Sequence, residues 1–156
     1  ATMPSVLDAE CGEPATLRAL AALADYPVFS SPGLRACTGE TDPRRALAAI
    51  HAPRARAVAV TCGAAGSFWR IDGALHHIPA PQIEARDTTG CGDVFHGALA
   101  LALAEGEPVL AAARFATAAA ALKARNGGGW RGMPAREAVE AMRAAGWSGS
   151  APNSYD

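Results

Sequence analysis

The order of apolar and polar positions predicts the elements before any motif is considered. Ser5-Val6-Leu7-Asp8 reads as a short apolar strand ending on an acid. Tyr26-Pro27-Val28-Phe29 predicts a second strand and Ala57-Val58-Ala59-Val60-Thr61 a third. The third is apolar without alternation, the pattern of a strand covered on both faces in a parallel sheet. Residues 67–71 and 74–78 flank Asp72-Gly73, the strongest short hairpin signal in the chain. Leu17, Leu20, Ala21 and Ala24 recur at helical spacing and predict a helix over 16–25. Asp42 as N-cap and Pro43 at the first helical position start another, which runs to about His51. Leu34 to Cys37 form a single helical turn. Residues 94–105 and 108–123 are alanine-rich, and alanine is the best helix former. A last helix covers 134–145, with Pro134 at its start and Gly146 past its end. Ser30-Ser31-Pro32-Gly33, Cys62 to Gly66 and Asn126 to Gly129 are loops. Residues 148–156 have no periodicity and are expected to form a flexible tail to a domain over 1–147.

Strands alternating with helices predict an α/β fold with a mainly parallel sheet, an antiparallel hairpin and flanking helices. Ligands of such sheets collect at the carboxyl edges of the strands, where the loops at Gly63 and Gly90 are expected. Composition narrows the reading. Half of the 156 residues are hydrophobic, enough for a sizeable core. With 14 basic and 15 acidic residues the chain lacks the basic balance of a nucleic-acid binder. Cys11, Cys37, Cys62 and Cys91 are scattered and form no CxxC pair, so neither a zinc site nor a disulfide framework is indicated and a reduced, cytoplasmic setting is expected. No apolar run approaches the roughly 20 residues that span a bilayer, so no membrane partner is expected. The chain starts at Ala1 and enters a strand almost at once, which reads as a fragment or a shortened reading frame.

One stretch carries chemistry. Asp87-Thr88-Thr89-Gly90-Cys91-Gly92-Asp93 is a glycine-bearing loop running into the helix that begins Val94-Phe95-His96-Gly97. Glycines on both sides of Cys91 let the backbone turn sharply and approach a ligand. The helix that follows offers unpaired N–H groups and the positive end of its dipole, a place for an anion such as phosphate. Asp93 sets a carboxylate beside it. A phosphate cradle with an adjacent base suits phosphoryl transfer to a hydroxyl, where positioning and electrostatics do most of the catalysis. Asp93 alone would be read as an acid that favours a helix dipole, worth under about 1 kcal/mol; its glycine neighbours favour the catalytic reading.

These residues resemble the second signature, DTxGAGD, of the ribokinase or PfkB-type carbohydrate kinases. Thr61-Cys62-Gly63-Ala64-Ala65-Gly66 resembles the TxGxxG nucleotide loop of that family. Phe95 to Leu99 and Arg114 to Leu122 resemble its next two helices, and Gly132-Met133-Pro134 its closing turn. The resemblance implies a Rossmann-like ribokinase fold of which the chain holds the C-terminal portion, the lid and most sugar contacts belonging to the other half. It implies Asp93 as the base for a sugar hydroxyl. The amides of Gly90, Cys91 and Gly92 would form the anion hole for the γ-phosphate of ATP. Thr61, Gly63 and Gly66 would line the nucleotide site, with Thr117 near the adenine. Asp87 and Thr89 would help bind a monovalent cation, potassium, through backbone carbonyls, with further carbonyls at Lys123, Asn126 and Gly128. Mg²⁺ would accompany ATP. Three positions depart from the family: Gly132 stands where ribokinase-like members have a serine ligand, Ser30 to Gly33 replace the NxxE motif that organises Mg²⁺, and Cys91 replaces alanine. A thiol at a helix N-terminus can have a lowered pKa, so Cys91 is expected to be reactive and protected by ATP.

The expected function is ATP-dependent phosphorylation of a sugar or sugar-derivative hydroxyl. The alternative is a nucleotide-binding remnant without turnover. A dinucleotide-dependent dehydrogenase fits poorly, because no GxGxxG follows the first strand with an acid about 20 residues on. Any exposed apolar surface left by a missing lid would favour a homodimer. His76 and His77 have no partner at metal spacing, His96 reads as a packing or surface residue, and Trp69, Trp130 and Trp147 read as packing residues.

Overall fold

The computed structural model describes residues 3–147. The predicted tail over 148–156 lies outside the described residues. The described residues divide into two compact units, 3–77 and 78–147.

The first unit carries a five-stranded sheet in the order β1-β2-β3-β4-β5. Its strands are β1 (Val6–Ala9), β2 (Tyr26–Ser30), β3 (Val58–Thr61), β4 (Ser67–Ile71) and β5 (Ala74–Ile78). β1 pairs with β2 and β2 with β3 in parallel, with Val6 opposite Tyr26 and Val28 opposite Ala59. β3 and β4 are antiparallel, with Val60 opposite Phe68. The sheet is therefore mixed, since the turn after β3 is too short for a crossover, and a parallel return needs a dozen or more residues. Asp72 and Gly73 take φ of 49° and 81°, the two positive angles of a type I′ hairpin turn.

Three helices complete this unit: α1 (Pro14–Ala21), α2 (Ser31–Thr38) and α3 (Pro43–Ala49). Leu17 and Ala21 of α1, Leu34 and Cys37 of α2, and Ala46 and Leu47 of α3 join Phe29, Val58, Val60 and Phe68 in one buried cluster. Each helix starts on an acceptor side chain. Asp42 Oδ1 accepts from the amides of Arg44 (2.7 Å) and Arg45 (3.3 Å), as predicted. Glu13 Oε2 accepts from Thr16 N, and Ser30 Oγ from Gly33 N. The last contact corrects one expectation. Ser30 to Gly33 are not a loop but the cap and first turn of α2, because Pro32 tolerates that turn and Ser30 satisfies an amide that would otherwise be orphaned.

The second unit is helical. α4 (Cys91–Ala104) and the long α5 (Val109–Asn126) pack together, and α6 (Arg136–Ala145) packs on α5. Between α5 and α6 runs a 3-10 turn over Gly129–Gly132. α4 and α5 meet along small side chains, with Leu99, Ala102, Ala112 and Ala116 fully buried. Arg136 forks onto Glu105, and Arg143 Nη1 lies 2.6 Å from Glu107 Oε2. Such partly exposed ion pairs orient α6 more than they stabilise it, at about 0–1 kcal/mol each. No helix among the described residues is long and apolar enough to cross a membrane.

Candidate active site

α4 begins three residues earlier than its apolar pattern predicts. Gly90 is the cap, with φ of 76° in the left-handed region that favours glycine. Cys91, Gly92 and Asp93 are thus the first turn of the helix itself. The Gly90 carbonyl accepts from Val94 N (3.0 Å), and Cys91 N donates to the Thr88 carbonyl (3.1 Å). No described residue accepts from the amides of Gly92 and Asp93, the donors that a helix start leaves free. Neither glycine is crowded, and Gly92 has open space where a side chain would stand. The Asp93 carboxylate folds back towards the cap, with Oδ2 3.7 Å from the place of a Cβ on Gly90. Asp93 is exposed and makes no hydrogen bond or ion pair among the described residues. A free carboxylate and two free amides therefore share one helical turn.

Behind this turn the chain is pinned. Asp87 Oδ1 accepts from Thr89 N (2.9 Å) and Oδ2 from Gly129 N (3.2 Å). Arg86 N and Asp87 N both donate to the Ala124 carbonyl, which ties the approach to α4 onto the end of α5. The Thr89 amide, then its hydroxyl and the Gly129 amide, hold the Asp87 carboxyl down at about 2, with Lys123 a smaller contributor. The Lys123 side chain is 2% exposed. Its Nζ lies 3.5 Å from the Asp87 carbonyl oxygen and 3.6 Å from Oδ2. Sequence reasoning used only the Lys123 carbonyl and missed the ammonium. The signal was present: Lys123 continues the stripe Ala112, Ala116, Ala119, which is buried throughout.

The TxGxxG stretch follows β3 in the first unit. Gly63–Ala65 form a 3-10 turn, and Gly63 and Gly66 take φ of 55° and 89°. Cys62 N donates to the Gly66 carbonyl (2.7 Å) and Gly66 N to the Gly63 carbonyl (3.0 Å). Thr61 Oγ1 contacts the Phe29 carbonyl at 3.4 Å, and Ser31 Oγ donates to the Thr61 carbonyl at 3.0 Å. The structure thus brings Thr61, Gly63 and Gly66 together in one turn, and Asp87, Thr89, Gly90, Cys91, Gly92 and Asp93 in another. Thr117 stands apart from both descriptions: it is buried inside α5, with its hydroxyl donating to the Ala113 carbonyl (2.8 Å).

One expectation changes. Burial pushes the Cys91 thiol up, against the lowering expected of a helix N-terminus; Lys123 opposes this and Asp87 adds to it. No acidic side chain can stand at Gly33, because a Cβ there would lie 2.4 Å from the Ala9 carbonyl oxygen. Among the described residues no three His, Cys, Asp or Glu side chains are grouped to hold a metal.

The sequence profile of the pfkB family carbohydrate kinases matches residues 2–136. The chain belongs to this family. It is 32% identical over 117 residues to the ribokinase of Lactococcus lactis, covering 75% of this chain and 39% of that enzyme. It superposes on the Arabidopsis thaliana ribokinase, solved with ribose and ATP, with a TM-score of 0.75 and 29% identity, covering 88% of this chain and 46% of that one. It superposes likewise on a Vibrio cholerae fructokinase double mutant, solved with fructose, ADP and potassium, with a TM-score of 0.80 and 25% identity, covering 88% and 49%. The chain thus spans under half the length of each, and it has the ribokinase fold over that span.

Proposed function

We propose that this chain carries the phosphoryl-transfer machinery of an ATP-dependent sugar kinase. The observation that supports it most is the first turn of α4, where the unpaired Asp93 carboxylate stands beside the unpaired amides of Gly92 and Asp93, in a chain of the pfkB family.

In this reading the γ-phosphoryl group of ATP lies over the Gly90 cap. The amides of Gly92 and Asp93, with that of Gly90, stabilise the negative charge that spreads over its equatorial oxygens in a loose transition state, while Cys91 N, expected to join them, is already given to the Thr88 carbonyl. They are rigid because the cap is closed by the Val94 and Cys91 hydrogen bonds, so little reorganisation is needed when charge develops. Asp93 accepts the proton of the acceptor hydroxyl. A carboxylate is a weak base at neutral pH, which suffices because the hydroxyl becomes acidic only as its oxygen bonds to phosphorus. Thr61, Gly63 and Gly66 line the nucleotide site. Thr117 belongs to the same proposal near the adenine, without a donor role, because its hydroxyl is already given to the Ala113 carbonyl.

Among the described residues no three His, Cys, Asp or Glu side chains are grouped to hold Mg²⁺; the ion would come with the nucleotide phosphates and keep its waters. When bound it neutralises phosphate charge. Potassium is no part of this reading. Ribose and fructose, bound by the Arabidopsis and Vibrio relatives, are the first acceptors to test. No disulfide joins the four cysteines, and a reducing, cytoplasmic setting belongs to the same proposal. A homodimer belongs to the same proposal and is checked by light scattering.

The test is transfer of radiolabelled γ-phosphate from ATP to a panel of pentoses and ketoses. A labelled sugar phosphate that appears only when both substrates are present bears the reading out. ATP binding without transfer to any sugar would replace it with a nucleotide-binding remnant.

A further inference from the structure

The potassium site that the family resemblance implies at Asp87 and Thr89 does not fit the donors of this chain. Its first carbonyl, that of Asp87, faces the Lys123 ammonium at 3.5 Å. Two of the other four are engaged, and so is the carbonyl of Gly132. The Lys123 carbonyl accepts from Gly127 N (3.1 Å), the Gly128 carbonyl from Arg131 N (3.3 Å) and the Gly132 carbonyl from Asn126 Nδ2 (3.1 Å). The serine ligand is lost for a steric reason as well as by substitution. A Cβ on Gly132 would lie 1.9 Å from the Gly127 carbonyl oxygen, so no side chain can stand there unless the loop moves.

Lys123 itself has no role in the reaction proposed above, and its placement is deliberate in physical terms. A lysine ammonium buried to 2% exposure is unfavourable unless a counter-charge or acceptors meet it. Among the described residues its acceptors are the carbonyl and carboxylate of Asp87, two residues before Thr89 and three before the Gly90 cap. A free cation beside those oxygens would stand against a like charge that is itself buried and poorly screened by solvent. The rest of the pinning is neutral: the Thr89 and Gly129 amides on the carboxylate, and the Ala124 carbonyl on the Arg86 and Asp87 amides.

We propose that the Lys123 ammonium is a tethered internal cation that takes the place of a monovalent ion beneath the 87–93 turn, making this chain independent of potassium. The side chain holds the Asp87 carbonyl from inside α5 and so fixes the approach to Gly90 without an exchangeable ion. This deepens the sugar-kinase reading and depends on it for its functional meaning, but its test does not use turnover.

The test is thermal unfolding of the 156-residue chain, without nucleotide or sugar, in potassium, sodium and tetramethylammonium chlorides at equal ionic strength. The wild-type midpoint is expected to be the same in all three salts. A potassium-specific, saturable rise in the wild-type midpoint would overturn the proposal. Lys123→Ala, which removes the ammonium and opens its space, is expected to unfold earlier. In potassium alone it should then recover about 2–4 °C at concentrations a few-fold above Kd. A folded Lys123→Ala that responds equally to the three salts would also overturn it, and the wild-type arm decides the matter where the variant does not fold. Failure of the kinase reading is seen separately, in the phosphotransfer assay, and moves neither midpoint.

Discussion

Replacing Gly33 by alanine is expected to destabilise the chain severely, although the change adds one methyl group to a helix. Gly33 sits in the first turn of α2 with ordinary helical backbone, so alanine would be preferred there on propensity alone. Packing reverses the preference. The added Cβ would lie 2.4 Å from the Ala9 carbonyl oxygen, 2.9 Å from that of Glu10 and 3.2 Å from Ser30 Oγ. The first two are backbone atoms at the end of β1 and cannot swing aside. The helix must move, and the Gly33 N to Ser30 Oγ cap bond (3.1 Å) goes with it. Overpacking costs about 1–3 kcal/mol and a lost cap about 1, so the expected loss is about 2–4 kcal/mol. In urea, with a slope near 2 kcal/mol/M, the midpoint should fall by about 1–2 M. Gly97→Ala is the control: it lies inside α4 with no atom within 4 Å of its Cβ position, and should gain about 0.5–1 kcal/mol. A Gly33→Ala midpoint within about 0.3 M of wild type would refute the reasoning. It would also reopen that position to the acidic residue of the NxxE motif.

Three other outcomes are expected. Asp87 titrates at about 2 in the folded chain against an ordinary 3.8, so the native state binds fewer protons there than the unfolded one. Its contribution is whole above about pH 4 and lost as the pH falls towards 2, and acid unfolding followed by circular dichroism should be shallower across that window in Asp87→Asn. Cys91, its thiol raised by burial, should react with iodoacetamide at neutral pH more slowly than the exposed Cys11, as read by peptide mass spectrometry; faster labelling of Cys91 would restore the activated thiol. Thr117→Val removes a hydroxyl that bonds only within its own helix, so calorimetric ATP affinity should stay within about twofold, and a tenfold loss (about 1.4 kcal/mol) would show a direct contact.

Much of the fold was legible because local chemistry agreed with the final packing. Asp72-Gly73 forced the hairpin, Asp42-Pro43 opened α3, and the apolar run before Thr61 made β3. The errors fall where a local signal has two meanings. Ser30-Ser31-Pro32-Gly33 has a loop's composition, yet serine, proline and glycine also start helices when the serine caps and the space is tight. Likewise Cys91-Gly92-Asp93 looks like loop because glycine weakens helices, and it is helix because the Gly90 cap turns the chain for it. The site motif stood out through its two glycines beside an acid and through its resemblance to the family signature. Lys123 did not, because its meaning depends on Asp87, 36 residues away in sequence, and only the packing of the 86–87 segment on the end of α5 brings the two together.

The central claim is that Asp93 is the base of a phosphoryl transfer whose anion hole is the turn around it. Asp93→Asn keeps the shape of the side chain and removes its basicity, and nothing in the structure depends on the charge, since Asp93 has no partner among the described residues. The direct measurement is kcat for sugar phosphorylation, paired with the Kd for ATP by calorimetry on the same preparation. The account predicts a fall of about 10²–10⁴ in kcat with ATP affinity within a few-fold of wild type. Near-normal turnover in Asp93→Asn would contradict it.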